Sequence, residues 1–411
     1  MTKTVKGFFS TSDLSRGKKP IGIVPKCESC GLYKTCETPK MELYGDGRKN
    51  ILIVGEAPGK QEDELGKPFV GESGKYLRAM LEKHGVSMMR DCFVTNSLIC
   101  RPRKDATPTE KQLEYCKPNL LNVIKDKKPC TILTFGGSAT KNVVSLVWDK
   151  ADSSIAKWAG WQIPCGEYNT WICPTFDPKE VVRDIDKRNP VSGLYLEQHI
   201  KNALSKKDRP FPSNAPDYKS WVSVIMDDRL ASEIILEMVE SGGCVGIDLE
   251  TNRLKPDHSR SEIYTCAVSW NGSKTIAFPW VGAVIPAMKK LLRSKRVKKI
   301  AHNLKFEDRW FRRILGISVR NWFVDSMTTA HVIDNRRRIA GLKFQAFVIF
   351  GQPIYDSHVE MYLKSDTPDG FNRIKEADLR ELLIYNGLDA LLCLLLARYQ
   401  YKKTFGKDIL R

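Results

Sequence analysis

The sequence predicts an α/β domain followed by an α+β domain, and three observations carry that reading. Between residues 51 and 176, short apolar strands alternate with Gly/Pro turns and helical stretches, the pattern of a layered α/β fold. From residue 219 onward, runs of strand come first and helices follow, which is the α+β order. Between the two lies a charged, proline-rich stretch (Lys206, Lys207, Asp208, Arg209, Pro210, Pro212, Asn214, Pro216) with the character of a linker. At 411 residues the chain is long enough for two or three domains with real cores. The expected division is a tail over 1–24, a first domain over 25–204, a linker over 205–218 and a second domain over 219–411.

Composition narrows the class. The chain is 42% hydrophobic, yet no apolar run approaches the ~20 residues that span a bilayer. The polar, basic N-terminus has no signal-like apolar segment, so a cytoplasmic setting is expected. Its Phe8-Phe9 pair is expected to fold back onto the first domain. A net charge of +18 favours a polyanionic partner. Twelve cysteines in that setting point to reduced thiols or metal ligands, not disulfides.

The first domain opens on Cys27-Glu28-Ser29-Cys30, which read alone is half a zinc site. No second close pair completes it; the later candidates are Cys100 and Cys116. Asn50–Val54 reads as a buried strand running into Gly55-Glu56-Ala57-Pro58-Gly59, and α/β folds build sites at such strand ends. The turn continues through Glu62 and Phe69 to Gly71, with helical spacing from about Gly74. Cys92–Asn96 is a second strand, Thr109–Lys125 a helix, Thr131–Phe135 a third strand, and Trp171–Phe176 a fourth that exits through Asp177-Pro178. Two histidines, His84 and His199, fall at structural positions.

Taken together, Gly55–Gly71, Thr95-Asn96, the four cysteines and the Pro174-Thr175-Phe176 strand resemble a family 4 uracil-DNA glycosylase, over roughly residues 25–203. The resemblance implies a three-layer domain whose Cys27, Cys30, Cys100 and Cys116 ligate a [4Fe-4S] cluster. It also implies a base pocket: Phe69 stacks on a flipped base, Asn96 bonds its edge, and Glu56, Ala57 and Glu62 line the turn where water attacks. The family has a histidine before the last proline, and here that position is Asp177. A carboxylate, with an ordinary pKa of ~3.9, repels the charge that develops on a departing uracil. Excision is therefore expected to be lost, very weak or redirected to another base. The remaining cysteines read as small buried apolar residues.

The second domain begins with a strand over 221–225 and a helix from about Asp227 to Glu240. Next comes the apolar run Cys244–Thr251, interrupted by Asp248 and Glu250. Two residues apart on a strand, these acids project to one face, where a hard divalent cation offsets their repulsion. Tyr264–Trp270 and Thr275–Phe278 are expected as antiparallel neighbours. Seven of the eleven residues from Lys289 to Lys299 are basic, which reads as a solvated helix face with the option of phosphate contact. Further on, Lys305-Phe306-Glu307-Asp308 starts a helix, Asp325 follows a strand-like stretch, and Tyr385 and Asp389 share one face of a long helix.

This ordered set resembles the proofreading 3′–5′ exonuclease domain of family A DNA polymerases, of the DEDDy type, over about residues 219–405. The resemblance implies a ribonuclease-H-like fold and two Mg²⁺ or Mn²⁺ ions about 3.5–4 Å apart. Asp248, Glu250 and Asp389 hold the ions, Glu307 is the fourth acid, and Tyr385 orients the attacking water. Asp308 is the alternative to Glu307, one residue out of register, and Asp325 is a supporting aspartate. The chain stops at Arg411 just past the last exonuclease helix, so a polymerase partner in trans is expected. The fusion suggests a bacteriophage replication protein in the host cytoplasm. The expected function is a metal-dependent 3′–5′ DNA exonuclease joined to a DNA-reading domain with an impaired glycosylase site. An active glycosylase of altered specificity and a non-enzymatic replication scaffold are the alternatives.

Overall fold

The computed structural model describes residues 25–208, 216–272 and 274–410, so the Phe8-Phe9 expectation lies outside the described residues. The chain forms two compact units that divide inside the 205–218 stretch, with Val147–Asp149 and Ala156–Asn169 clustering with the second.

In the first unit, strands β1 (Ile51–Gly55), β2 (Cys92–Asn96), β3 (Thr131–Phe135) and β4 (Thr170–Thr175) pair in parallel in the order β2-β1-β3-β4. Parallel strands covered on both faces read as unbroken apolar runs, and every residue of β1 and β3 is buried. Ile51 and Ile53 join a core with Leu77, Leu81, Leu196 and Ile200 from helices Glu72–Lys83 and Val191–Leu204. Leu52 and Val54 point to the opposite face and are equally buried. The Glu110–Lys127 helix starts where its Thr109-x-x-Gln112 capping box predicts. Because the strands run parallel in register, Gly55 lies beside Asn96 and Phe135 beside Thr175, so their carboxyl ends share one edge.

The second unit holds a six-stranded mixed sheet. Its strands are β5 (Val222–Val224), β6 (Gly243–Thr251), β7 (Ile263–Trp270), β8 (Lys274–Pro279), β9 (Val297–Ala301) and β10 (Trp322–Asp325). They lie in the order β10-β9-β6-β7-β8-β5, with β6-β7-β8 antiparallel and the outer pairs parallel. Val245, Ile247 and Leu249 face a core built with helices Asp228–Ser241, Val284–Arg293 and Lys305–Leu315. The Leu379–Phe405 helix covers the other face of the sheet. By length and composition this helix is apolar enough to cross a membrane, against the sequence reading that no run approaches such length. It is a core helix, with 78% of its most apolar window buried. Trp148 stacks on Phe347 at 4.4 Å and Trp158 lies 5.3 Å from Phe344, both within this unit.

The basic run at 289–299 departs from a solvated helix face. It straddles the end of one helix and the first three residues of β9. Lys299 within it is fully buried, donates to the Ser294 carbonyl, and is pulled down to about 8 by burial.

Candidate active sites

On β6, Asp248 and Glu250 share a face with Gly246, and opposite them on β7 stand Ala267 and Thr265. Gly246 is needed because a Cβ there would lie 2.5 Å from the Ala390 carbonyl oxygen and 2.9 Å from Leu394 Cβ. The missing side chain lets the Leu379–Phe405 helix rest directly on the strand. That contact brings Asp389 to the two strand acids, and ligand oxygens of Asp248, Glu250 and Asp389 all lie within 4.8 Å of one another. Asn386, on the same helix, donates Nδ2 to Asp248 Oδ2 at 2.6 Å and accepts from Thr265 Oγ1 at 2.9 Å, which fixes the Asp248 carboxylate.

Burial, and then the charge of Asp389, hold Asp248 well above the usual carboxylate range. Burial and Asp248 do the same to Glu250 and to Glu307. Glu307 is 2% exposed and its Oε2 is buried without a hydrogen-bond partner. Successive helical residues are about 100° apart, so Glu307 and Asp308 cannot both face the acids. Asp308 turns away to accept from Trp322 Nε1 at 3.0 Å and to pair with Arg312.

Asp325 caps the Ser326–Ile333 helix and also accepts from the backbone N–H groups of Asn303 and Leu304, both at 3.1 Å. It thereby pins the turn that launches the Glu307 helix. His302, beside that turn, bonds Ser326 Oγ at 2.9 Å, and burial lowers its pKa to about 4. Tyr385 is buried, and burial followed by Asp389 raises its phenol well above 10, so it keeps its proton.

In the first unit, Asn96 and Phe69 converge at the end of β1. A Cβ on Gly55 would lie 2.4 Å from Asn96 Oδ1 and 2.8 Å from Phe69 Cζ. Phe69 adopts φ 55°, its ring stands edge-on to Phe135 at 6.2 Å, and its carbonyl accepts from Arg78 Nη1 at 2.6 Å. Glu62 folds back to accept from the Gly71 N–H at 2.8 Å and so braces the loop that carries Phe69. Ala57 packs against the cysteine cluster. Asp177 caps the Pro178–Asp186 helix, with Oδ1 accepting from the Lys179 N–H at 2.8 Å. Burial pushes Asp177 up to about 6 and nearby Glu56 adds to the rise, while the Lys179 N–H and charge oppose it. His199 bonds Thr175 Oγ1 at 3.0 Å and lies against Phe176 and Tyr195, and His84 faces Glu197 at 3.5 Å.

Cys27, Cys30, Cys100 and Cys116 line a single recess with Tyr33 and Leu98. The Lys40 N–H points at Cys100 Sγ at 3.2 Å and Asn119 Nδ2 at Cys116 Sγ at 3.4 Å. Burial pushes the Cys100 thiol up to about 12 and raises Cys116. Cys36 differs from the small buried residue expected of it: it is half-buried, and its free thiol shares a hydrogen bond with that of Cys100.

Residues 42–195 match the uracil DNA glycosylase superfamily and residues 223–399 the 3′–5′ exonuclease family of DNA polymerase A type. A type-4 uracil-DNA glycosylase of Pyrobaculum aerophilum is 34% identical over 164 residues, 39% of this chain and 82% of that protein. The chain belongs to the type-4 uracil-DNA glycosylase family. A type-4 glycosylase of Thermotoga maritima is 32% identical over 187 residues, 44% of this chain and 90% of that one. A DNA polymerase of Bacillus phage SP01 is 22% identical over 318 residues, 72% of this chain and 34% of that polymerase. Behind its type-4 glycosylase domain the chain carries a 3′–5′ exonuclease domain of ribonuclease-H-like fold.

Beyond the type-4 glycosylase part, sequence reasoning missed Lys343, Tyr355, Asp356 and Asn386. Tyr355 OH donates to Asp389, and Lys343 lies 3.8 Å from both Asp389 and Asp356. Asn386 sits between Tyr385 and Asp389 in sequence, so its place on the acid-bearing helix was a usable signal. Lys343 and Tyr355 sit 42 and 34 residues from their partners and belong to no acidic motif.

Proposed function

We propose that this protein is a metal-dependent 3′–5′ DNA exonuclease of the proofreading type, acting in replication beside a DNA polymerase activity. Its glycosylase domain reads DNA with an impaired excision site. The convergence of Asp248, Glu250 and Asp389 within 4.8 Å carries the exonuclease reading. Crowded oxygen donors with raised pKa values, next to an orphaned Glu307 oxygen, suit a hard divalent ion such as Mg²⁺ or Mn²⁺. Asp248, Glu250 and Asp389 would hold the ions, with Glu307 beside them. When bound, the ions supply positive charge to the scissile phosphate and acidify the attacking water. Asn386 keeps the Asp248 carboxylate in place, and Asp325 fixes the approach of Glu307. Tyr385, retaining its proton, aligns the water and leaves proton removal to others. A net charge of +18 supports a nucleic-acid substrate, here single-stranded 3′ ends.

In the first domain, Phe69 stacks on an extruded uracil or modified pyrimidine and Asn96 reads its edge. A carboxylate at 177 disfavours departure of the anionic base at neutral pH, so reading outlasts cutting. The recess of Cys27, Cys30, Cys100 and Cys116 suits a [4Fe-4S] cluster. Its soft iron relieves the cost of buried thiolates, and two N–H donors already point at sulfur. Bound there, the cluster would tie the 27–30 turn to Cys100 and Cys116, and the purified protein would be brown. Colourless protein with stoichiometric zinc after anaerobic preparation would contradict this.

The deciding experiment incubates the protein with labelled single strands, with and without uracil, in the presence and absence of Mg²⁺. A metal-dependent ladder shortened from the 3′ end is the expected result. Metal-independent abasic sites would mark an active glycosylase, and binding alone a scaffold.

A further inference from the structure

The Leu342–Phe350 helix presents Lys343 to the acids from its first turn. Lys343 Nζ donates to Tyr385 OH at 2.8 Å and lies 3.8 Å from Asp389 Oδ2 and 3.8 Å from Asp356 Oδ2. It also sits 4.8 Å from the centroid of the Tyr385 ring and 5.7 Å from that of Tyr355. The helix that carries it is held firmly. Gln345 Nε2 donates to the Ile339 carbonyl at 2.7 Å, and Phe344 and Phe347 pack on Trp158 and Trp148. A side chain on so rigid an element acts as a fixed point.

An ammonium is a donor only, whereas a phenol both donates and accepts. With Lys343 occupying the accepting side of the Tyr385 oxygen, the O–H is left to point elsewhere as a donor. We infer that Lys343 is a positioning residue of the exonuclease site, which fixes the Tyr385 phenol as a hydrogen-bond donor toward the attacking water or the scissile phosphate. The inference rests on the exonuclease reading above. Its second consequence is electrostatic: the ammonium is a resident positive charge beside Asp389, and a divalent ion binding there works against it.

The test is a double-mutant cycle in the full-length protein, with a 3′-labelled single strand and Mg²⁺, alongside Mn²⁺ binding followed by electron paramagnetic resonance. Lys343→Met is expected to lower kcat roughly 10- to 100-fold, as for loss of one charge-assisted hydrogen bond, with KM little changed. In a Tyr385→Phe background the same substitution is expected to cost nothing further. Lys343→Arg restores part of the loss. Mn²⁺ binding to Lys343→Met is retained or tightened, because a competing charge is gone. Additive losses in the double variant, an unchanged kcat, or loss of Mn²⁺ binding would each overturn the inference, the last by marking Lys343 as a packing residue. Asp248→Ala separates the two levels: if that variant still degrades DNA, the exonuclease reading itself has failed. If it is inactive and the cycle is additive, only the role of Lys343 has.

Discussion

Both domains hold partly buried carboxylates against a sheet, on an inner strand in the exonuclease domain and just past a strand end in the glycosylase domain, and their surroundings differ. In the exonuclease domain Asp248 has the Asn386 amide at 2.6 Å, and Asp389 has the Tyr355 hydroxyl as a donor and the Lys343 ammonium as an ion-pair partner at 3.8 Å. In the glycosylase domain Asp177 faces Glu56, and the helix it caps answers with the Lys179 N–H. Burial raises Asp177, Asp248 and Glu250 alike, so burial does not distinguish the two sites. The distinction lies in company. One set of acids is held in convergence by donors arranged around it. The other, on the proposed reading, places an acid where base departure calls for a neutral donor.

The largest test of this contrast is Asp248→Ala, expected to lower nucleolysis by roughly 10³-fold or more while DNA binding persists. Single-turnover digestion beside a binding titration measures both, and undiminished digestion would remove the exonuclease assignment. Next in size is Asp177→His, which restores a donor. It should raise uracil excision by roughly 10²- to 10³-fold, read as abasic-site formation on a uracil-containing single strand. Robust excision by the unmodified protein would instead show that the carboxylate is no obstacle.

Metal addition separates the sites further. Asp248, Glu250 and Glu307 have folded pKa values above their unfolded ones, so without metal the fold binds more protons than the unfolded chain. Its stability then falls as pH rises from about 4 toward those folded values. A divalent ion must displace these protons, so its stabilisation grows with pH. At 100 times Kd a ligand contributes about 2.7 kcal/mol. The Mn²⁺-induced rise in Tm should be clearly larger at about pH 8 than at about pH 6. A rise independent of pH would mean that the acids are already ionised. The smallest effect concerns the glycosylase domain. Asp177 is protonated below about 6, so residual excision should climb as pH falls through that value and then level off. Asp177→Asn, an amide that does not titrate, should flatten the profile. An identical pH dependence in the two proteins would exclude Asp177 as its source.

Much of this arrangement was visible in the sequence because it rests on local periodicity. The two-residue spacing of Asp248 and Glu250 and the four-residue spacing of Tyr385 and Asp389 fix which faces those side chains share. The Thr109 capping box likewise marks a helix start. The choice between Glu307 and Asp308 needed the rotation of a helix against its neighbours, and that is set by the burial of Trp310 and Phe311. Lys343 and Tyr355 were invisible for another reason: both reach Asp389 only through long-range packing. The buried Lys299 misled because a charge run carries no mark of where a helix stops and a strand begins.

Gly246 takes no part in any chemistry, yet it acts as a caliper. The gap between the strand acids and Asp389 is set by how closely one helix lies on one strand, and that closeness exists because an atom is missing. An alanine there must push the helix outward against the Ala390 carbonyl. A displacement on the order of 1 Å in a catalytic array can cost ~10²-fold in rate. In a mutational scan this glycine would therefore rank with the acids it separates, as a position where the smallest possible enlargement is already too large.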